Sequence, residues 1–322
     1  MVGHCGIDYW EPNRHRSFRR LPAGFFAALV CVFSAVVHAT SKDPEGPYQK
    51  RETILPTFAH EPNAVRGPRG EWIIYATVRN PNGYPTFDCS NGSASARMPL
   101  DRSSSYAPKN RSTFMIFSET GPWGPWSAPV LVLQPNMSSW GGLPALVDTN
   151  LAMTVLPDGS AIGIWRKCEN TDEFGSTCVS ECCTFPHLLR ASNWRDAATY
   201  MPDSARRLFP NILPYGSEDP FVWREADGSI HALLHDEQGP SRCTALGRHS
   251  YSLDNGSSWV YASSNAYDGN VSFTNGSSFT FYRRERPHLI LDQHGRPTHL
   301  TNGVQETTAN DRSYTLVQKL RR

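Results

Sequence analysis

Four copies of one short β-hairpin pattern constrain this 322-residue chain more than any other feature. They begin at His60 (HEPNAVRGPRGEWIIYAT), Asp148 (DTNLAMTVLPDGSAIGIWR), Ser217 (SEDPFVWREADGSIHALLHD) and Arg284 (RERPHLILDQHGRPTHLTN). In each copy a polar opening leads into an apolar run, a glycine-containing turn and a second apolar run. Asp-Gly between β-rich segments is a hairpin signal, because the turn requires φ > 0. Aligned on the turn glycines Gly70, Gly159, Gly228 and Gly295, the residue nine places earlier is Glu61, Asn150 and Asp219 in the first three copies. In the fourth, Glu285 lies ten places earlier, which implies one extra residue in the strand or turn.

Repeats of one β unit with variable insertions between them suggest blades around a channel. The innermost strand of each blade then runs along that channel, and residues opening it gather at one mouth. Glu61, Asp219 and Glu285 are grouped on this ground although they lie far apart in sequence. Carboxylates gathered there cannot all be comfortably ionised, so at least one should hold its proton, as a general acid beside a base must. With 24 Gly, 25 Pro and 9 Trp, the composition fits short strands and tight turns. A net charge of +1 gives no support to a nucleic-acid partner.

Residues 1–40 read as a targeting element. Arg14, Arg16, Arg19 and Arg20 precede an apolar run from Leu21 to Val37, and Val37-His38-Ala39 offers a cleavage site. The alternative is an uncleaved signal anchor, in which case the chain would be membrane-attached. Either reading places residues 41–322, expected to be a single domain, in the secretory lumen or outside the cell. Six N-x-S/T sequons (Asn91, Asn110, Asn136, Asn255, Asn270, Asn275) agree with that compartment. So do six cysteines outside the leader, Cys89, Cys168, Cys178, Cys182, Cys183 and Cys243, which are expected to pair as disulfides. Zinc is a poor fit to the Cys178–Cys183 spacing, so no metal or cofactor is expected, although a channel calcium ion would be compatible. Residues 80–110 read as a long loop, residues 193–200 as a brief helical turn, and GRHSYSLDNGSSW as an Asp-box hairpin of the kind found in propellers.

HEPN, SEDPFVW and RERPHL resemble the three acidic motifs of glycoside hydrolase family 43 and its arabinanase, xylosidase and invertase relatives. The resemblance runs from about His60 to Val304 and includes the GPW turn at Gly124–Trp126. It implies an all-β, five-bladed β-propeller acting on a carbohydrate, the fifth blade being inferred from the family alone. It also implies Glu61 as base, Asp219 as the residue that tunes and orients, and Glu285 as general acid. Two departures stand out: Glu61 replaces the usual Asp, and Arg286 beside Glu285 would lower the acid's pKa. Further candidate substrate-binding residues are His60, Asn150, Trp140, His235, Asp236, His249 and Arg286. Trp165 and Trp223 read as core. Arg283, Arg284 and Arg286 either grip a carboxylate-bearing sugar or balance the acidic mouth. A non-catalytic carbohydrate-binding propeller and a sialidase-type propeller are the alternative functions.

Overall fold

The computed structural model describes residues 36–55, 59–78, 112–133, 149–169, 183–203, 207–209, 217–236, 245–307 and 313–320. Apart from one 3-10 turn at Ala197–Thr199, the regular elements among them are β-strands. Strands β1 (Val36–Thr40) and β2 (Gln49–Leu55) pair antiparallel. Blade 1 follows as β3 (Ala59–Arg66), β4 (Trp72–Val78), β5 (Ser112–Ser118) and β6 (Val130–Leu133). Blade 2 is β7 (Ala152–Val155), β8 (Ala161–Glu169), β9 (Cys183–Ala191) and β10 (Tyr200–Asp203). Blade 3 is β11 (Ser217–Arg224), β12 (Ile230–Asp236), β13 (Gly247–Ser252) and β14 (Val260–Tyr267). After a small hairpin of β15 (Asn270–Ser272) and β16 (Ser278–Thr280), blade 4 is β17 (Arg283–Leu291), β18 (Pro297–Gln305) and β19 (Ser313–Lys319).

Each copy of the repeat supplies the two inner strands of one sheet, joined by the same turn. The backbone N–H of Gly70, Gly159, Gly228 and Gly295 donates to the carbonyl three residues earlier, at 3.0–3.1 Å. All four glycines have φ between 79° and 93°, a region that costs other residues strain.

Alternation along the strands decides how the blades stack. Odd residues of blade 1 (Ile73, Tyr75, Met115) meet Met153, Trp165 and Leu189 of blade 2. The even residues of blade 2 (Ala152, Ile162, Ile164) meet Val222, Ile230, Ala232 and Leu234 of blade 3. Phe221, Trp223 and Leu233 then face Leu289 and Leu300 of blade 4. The inner strands adjoin in the same order, β3 against β7, β7 against β11 and β11 against β17. The molecule is therefore a β-propeller with strands along a common axis.

Four blades are present among the described residues, not five. The four repeats account for all of them, and the Asp-box hairpin forms the outer edge of blade 3 rather than a blade of its own. Arg286 of blade 4 reaches Glu61 of blade 1 at 3.9 Å, so the last and first blades meet at the mouth. The β1–β2 pair instead covers the second face of blade 1, where Val36 and Leu55 pack on Ile74, Ala76 and Ile116. Val36–Thr40, read from sequence as the end of the leader, is thus part of a sheet.

The helical turn expected within residues 193–200 is present at Ala197–Thr199, with Asp196 accepting from Ala198 N–H. Trp165 and Trp223 are buried. Asn255, Asn270 and Asn275 lie on exposed segments. The expected cysteine pairing, the 80–110 loop and Trp140 lie outside the described residues. No helix among those residues is long and apolar enough to cross a membrane.

Candidate active site at the channel mouth

The opening of each inner strand is built the same way. Glu61, Asn150, Asp219 and Arg286 have φ of 52°, 46°, 51° and 54°, a left-handed conformation that is unusual for residues with a side chain. In blades 1, 3 and 4 the following residue is proline, and the ladder skips two residues there: His60/Asn63, Glu218/Phe221 and Glu285/His288. Proline has no N–H for the ladder, so the skipped pair bulges.

This geometry corrects the alignment of the fourth repeat. Arg286, nine places before Gly295, is the counterpart of Glu61, Asn150 and Asp219, and no residue is inserted before the turn. The extra residue comes afterwards, where Ile290 pairs with His299 but Leu291 pairs with Pro297. Glu285 is instead the counterpart of Glu218, Thr149 and His60, one residue earlier in each chain segment. Opposite this layer on the second strands stand Thr77, Arg166, His235 and Gly303.

The sequence-derived candidates converge in part. Asn150 Nδ2 donates to Asp219 Oδ1 at 2.7 Å, which ties blade 2 to blade 3. Glu218, Asp219 and His235 bring one ligand atom each within 4.8 Å of one another, all three residues buried. His235 Nδ1 lies 3.2 Å from Glu218 Oε1, and Arg166 pairs with Glu218 Oε2. Arg283 Nε stands 4.0 Å from Glu285 Oε1, an oxygen that makes no hydrogen bond among the described residues. Glu218 and Arg166 were not singled out from sequence. The one-residue misalignment hid the match of Glu218 to Glu285, and the spacing of seven residues from turn glycine to Thr77, Arg166 and His235 was the available signal.

The charges of this pocket are set by its burial. Burial raises Glu285, and the carboxylates of Glu218 and Asp219 add to it; together they outweigh His235 and Arg286 and push it up to about 7. The lowering expected from Arg286 is present but is the smallest of these effects. Burial by itself would raise Glu218, yet the charge of Arg166, followed by His235, holds it well below the usual carboxylate range. Burial would likewise lower His235, but its Glu218 partner and the nearby Glu285 and Asp219 raise it and favour the imidazolium.

Two candidates lie elsewhere. Asp236 points to the opposite face of β12 from His235 and accepts from Arg248 Nε at 2.7 Å. β12 runs without a bulge between His235 and Asp236, so their side chains alternate and Asp236 faces away from the mouth. His249 belongs to a ladder on the face of blade 3 packed against blade 4. Its Nε2 lies 2.9 Å from His231 Nδ1, and His231 Nε2 lies 2.8 Å from Ser229 Oγ. Ser229 donates to Asp227 at 2.6 Å. A carboxylate only accepts, so protons point from His249 to His231 to Ser229 to Asp227, with both imidazoles neutral. Burial lowers both histidines accordingly. His60 opens β3 opposite Thr77. A cavity of about 530 Å³ lies at the turn end, lined by Asp158, Arg224, Ser229 and Asp254, and none of Glu61, Asp219 and Glu285 lines it.

Fold and mouth together define an all-β propeller with a buried carboxylate–imidazolium pocket. Among solved structures the chain is similar to a protein of unknown function from Dyadobacter fermentans. That pair is 14% identical, covering 89% of this chain and 72% of that one, with a TM-score of 0.49. A thermostable family-43 glycoside hydrolase is similar at 8% identity, 86% and 80% coverage and a TM-score of 0.47. The GH32 β-fructofuranosidase of Bombyx mori is similar at 12% identity and a TM-score of 0.47, over 88% of this chain and 49% of that one. No family model matches the sequence. No curated protein matches it either.

Proposed function

We propose that this chain is a secreted glycoside hydrolase that cleaves glycosidic bonds of an oligo- or polysaccharide with paired carboxylates. The observation that carries the proposal is Glu285, a buried carboxyl group at the mouth whose pKa of about 7 lets it hold a proton at neutral pH. In this reading Glu285 protonates the glycosidic oxygen, and Glu61 on the adjoining blade activates water. Asp219, fixed by Asn150, positions the sugar, and its negative charge helps keep Glu285 protonated. After proton donation the His235 imidazolium would stabilise the new carboxylate.

Glu285→Gln keeps size and removes the proton donor. Hydrolysis of substrates with poor leaving groups should fall by roughly two to four orders of magnitude. Nitrophenyl glycosides, which need little protonation, should lose far less. Equal loss on both substrate types, with folding intact, would remove Glu285 from the acid role.

A second reading, a carbohydrate-binding propeller without turnover, is favoured by the ion pair of Arg286 with Glu61, which occupies the intended base. Binding of glycans with no cleavage across aryl glycosides and polysaccharides would select it. A sialidase-type reaction has less support. Arg166 is committed to Glu218, and burial pushes the Tyr267 hydroxyl, beside Asp219 and Glu285, well above its ordinary pKa. That is the wrong direction for a nucleophile.

A further inference from the structure

The hairpin of β15 and β16 carries an apolar stripe that runs out of the core. Val271 pairs with Phe279, and Phe273 N–H donates to the Ser277 carbonyl at 2.8 Å. Alternation then sets Val271, Phe273, Ser277, Phe279 and Phe281 on one face, with Asn270, Ser272, Ser278 and Thr280 on the other. At its base the stripe is covered: Val271 and Phe281 are 1% and 3% exposed and pack with Val304 and Leu316 of blade 4. Toward the tip it is not, with Phe279 37% and Phe273 39% exposed.

The tip is also a glycosylation sequon, Asn275-Gly276-Ser277, two residues beyond Phe273. Gly276 N–H donates to the Phe273 carbonyl at 3.0 Å, and Gly276 has φ of 83°. This is a three-residue hairpin loop closed by a glycine bulge. In it the Asn275 side chain folds back, its Oδ1 accepting from Ser277 N–H at 3.0 Å and from Ser277 Oγ at 2.7 Å. Ser277 shares its face with Phe273, so the Asn275 amide is drawn to that face. Nδ2, the atom to which a glycan attaches, is bonded to the same carbon as Oδ1. A Cβ on Gly276 would meet nothing within 4 Å, so the space at the tip is open. The sequons at Asn255 and Asn270 lack the aromatic partner, since Leu253 and Asp268 stand two residues before them.

We infer that Asn275 carries an N-linked glycan whose first N-acetylglucosamine packs on the Phe273 ring and covers the open end of the stripe. One face of that sugar presents C–H groups, and its acetamide ends in a methyl. Both suit the negative face of an aromatic ring, while the hydroxyls stay in water. The inference goes beyond the hydrolase reading. It rests on the leader reading, which brings the chain to the glycosylating enzymes.

The test expresses the full sequence in a eukaryotic secretory host and maps glycopeptides by mass spectrometry. Thermal midpoints are then measured for the wild type, Phe273→Ala, Asn275→Gln and the double variant. Asn275 should be occupied. Phe273→Ala should lower the midpoint by about 1–3 °C more in the glycosylated protein than in the Asn275→Gln background, the scale on which one contact registers in a domain of this size. Trimming the glycan to its first sugar with an endoglycosidase should leave that difference intact. Phe273→Tyr should keep it and Phe273→Leu should lose most of it, because the ring face makes the contact. An equal cost of Phe273→Ala with and without the glycan overturns the inference. So does a bare Asn275 beside an occupied Asn255 or Asn270, a result that leaves the leader reading in place. Bare asparagines at every sequon of the secreted chain remove both. If Phe273→Ala disperses a dimer, or weakens polysaccharide binding whether or not the glycan is present, the stripe belongs to a second copy or to substrate and the inference falls.

Discussion

Glu285 shows how a single side chain takes its chemistry from its neighbours. A carboxyl group that titrates near 4.5 in water rises to about 7 here, chiefly through burial. The folded state therefore holds the proton more tightly than the unfolded state does. Its stabilising effect is complete below pH 4.5 and is lost as pH rises through about 7. Urea unfolding across pH 4.5–7 should show wild-type stability falling relative to Glu285→Gln, by about 3 kcal/mol at most. Activity requiring the acid form should decline above the same pH. A stability difference that stays constant with pH would contradict the assignment. This residue was legible in sequence as an acid shortly before a proline, but Glu218 and the Arg166 that pairs with it were not. Arg166 stands in β8 and Glu218 in β11, and only the stacking of blades 2 and 3 brings them together.

At the scale of the hairpin, the turn glycines and the packed glycines have different reasons to be glycine. A Cβ at Gly159 would meet nothing within 4 Å, so the obstacle there is its φ of 86°. Gly159→Ala should cost about 1–2 kcal/mol of backbone strain. Gly163 sits mid-strand with ordinary φ, yet a Cβ would fall 2.2 Å from Met153 Sδ and 2.3 Å from the Ala152 carbonyl. The carbonyl is backbone and cannot give way, so Gly163→Ala should lower the thermal midpoint more than Gly159→Ala does. The reverse order in a melting experiment would show that the β7–β8 pairing relaxes more readily than its contacts indicate. The Asp-box hairpin is held by its own residues: Asp254 accepts from Ser258 N–H and Ser252 Oγ, both at 2.8 Å.

For the whole molecule, the β1–β2 pair covers the second face of blade 1. Val36 and Leu55, both almost fully buried, close the apolar face of blade 1. Removal of residues 36–40 would withdraw Val36 and leave β2 unpaired. Such a truncation should lose about 1–3 kcal/mol, roughly the worth of burying one valine. Chemical denaturation of the two forms tests this, and N-terminal sequencing of secreted material shows which form exists. The sequence by itself determined the repeat, its four turns and the all-β character, because these depend on local pattern: alternating apolar residues and glycines at φ > 0. It also marked three of the four inner-strand openings, since a proline has no N–H for the ladder. Tertiary structure alone decided the number of blades and the removal of Asp236 and His249 from the mouth, and its register settled the match of Arg286, which already stood nine places before its turn glycine, to Glu61 and Asp219. Those outcomes depend on which side of a strand a residue faces and on which blade packs against it. A shift of one residue reverses the first, and residues far apart in the chain settle the second.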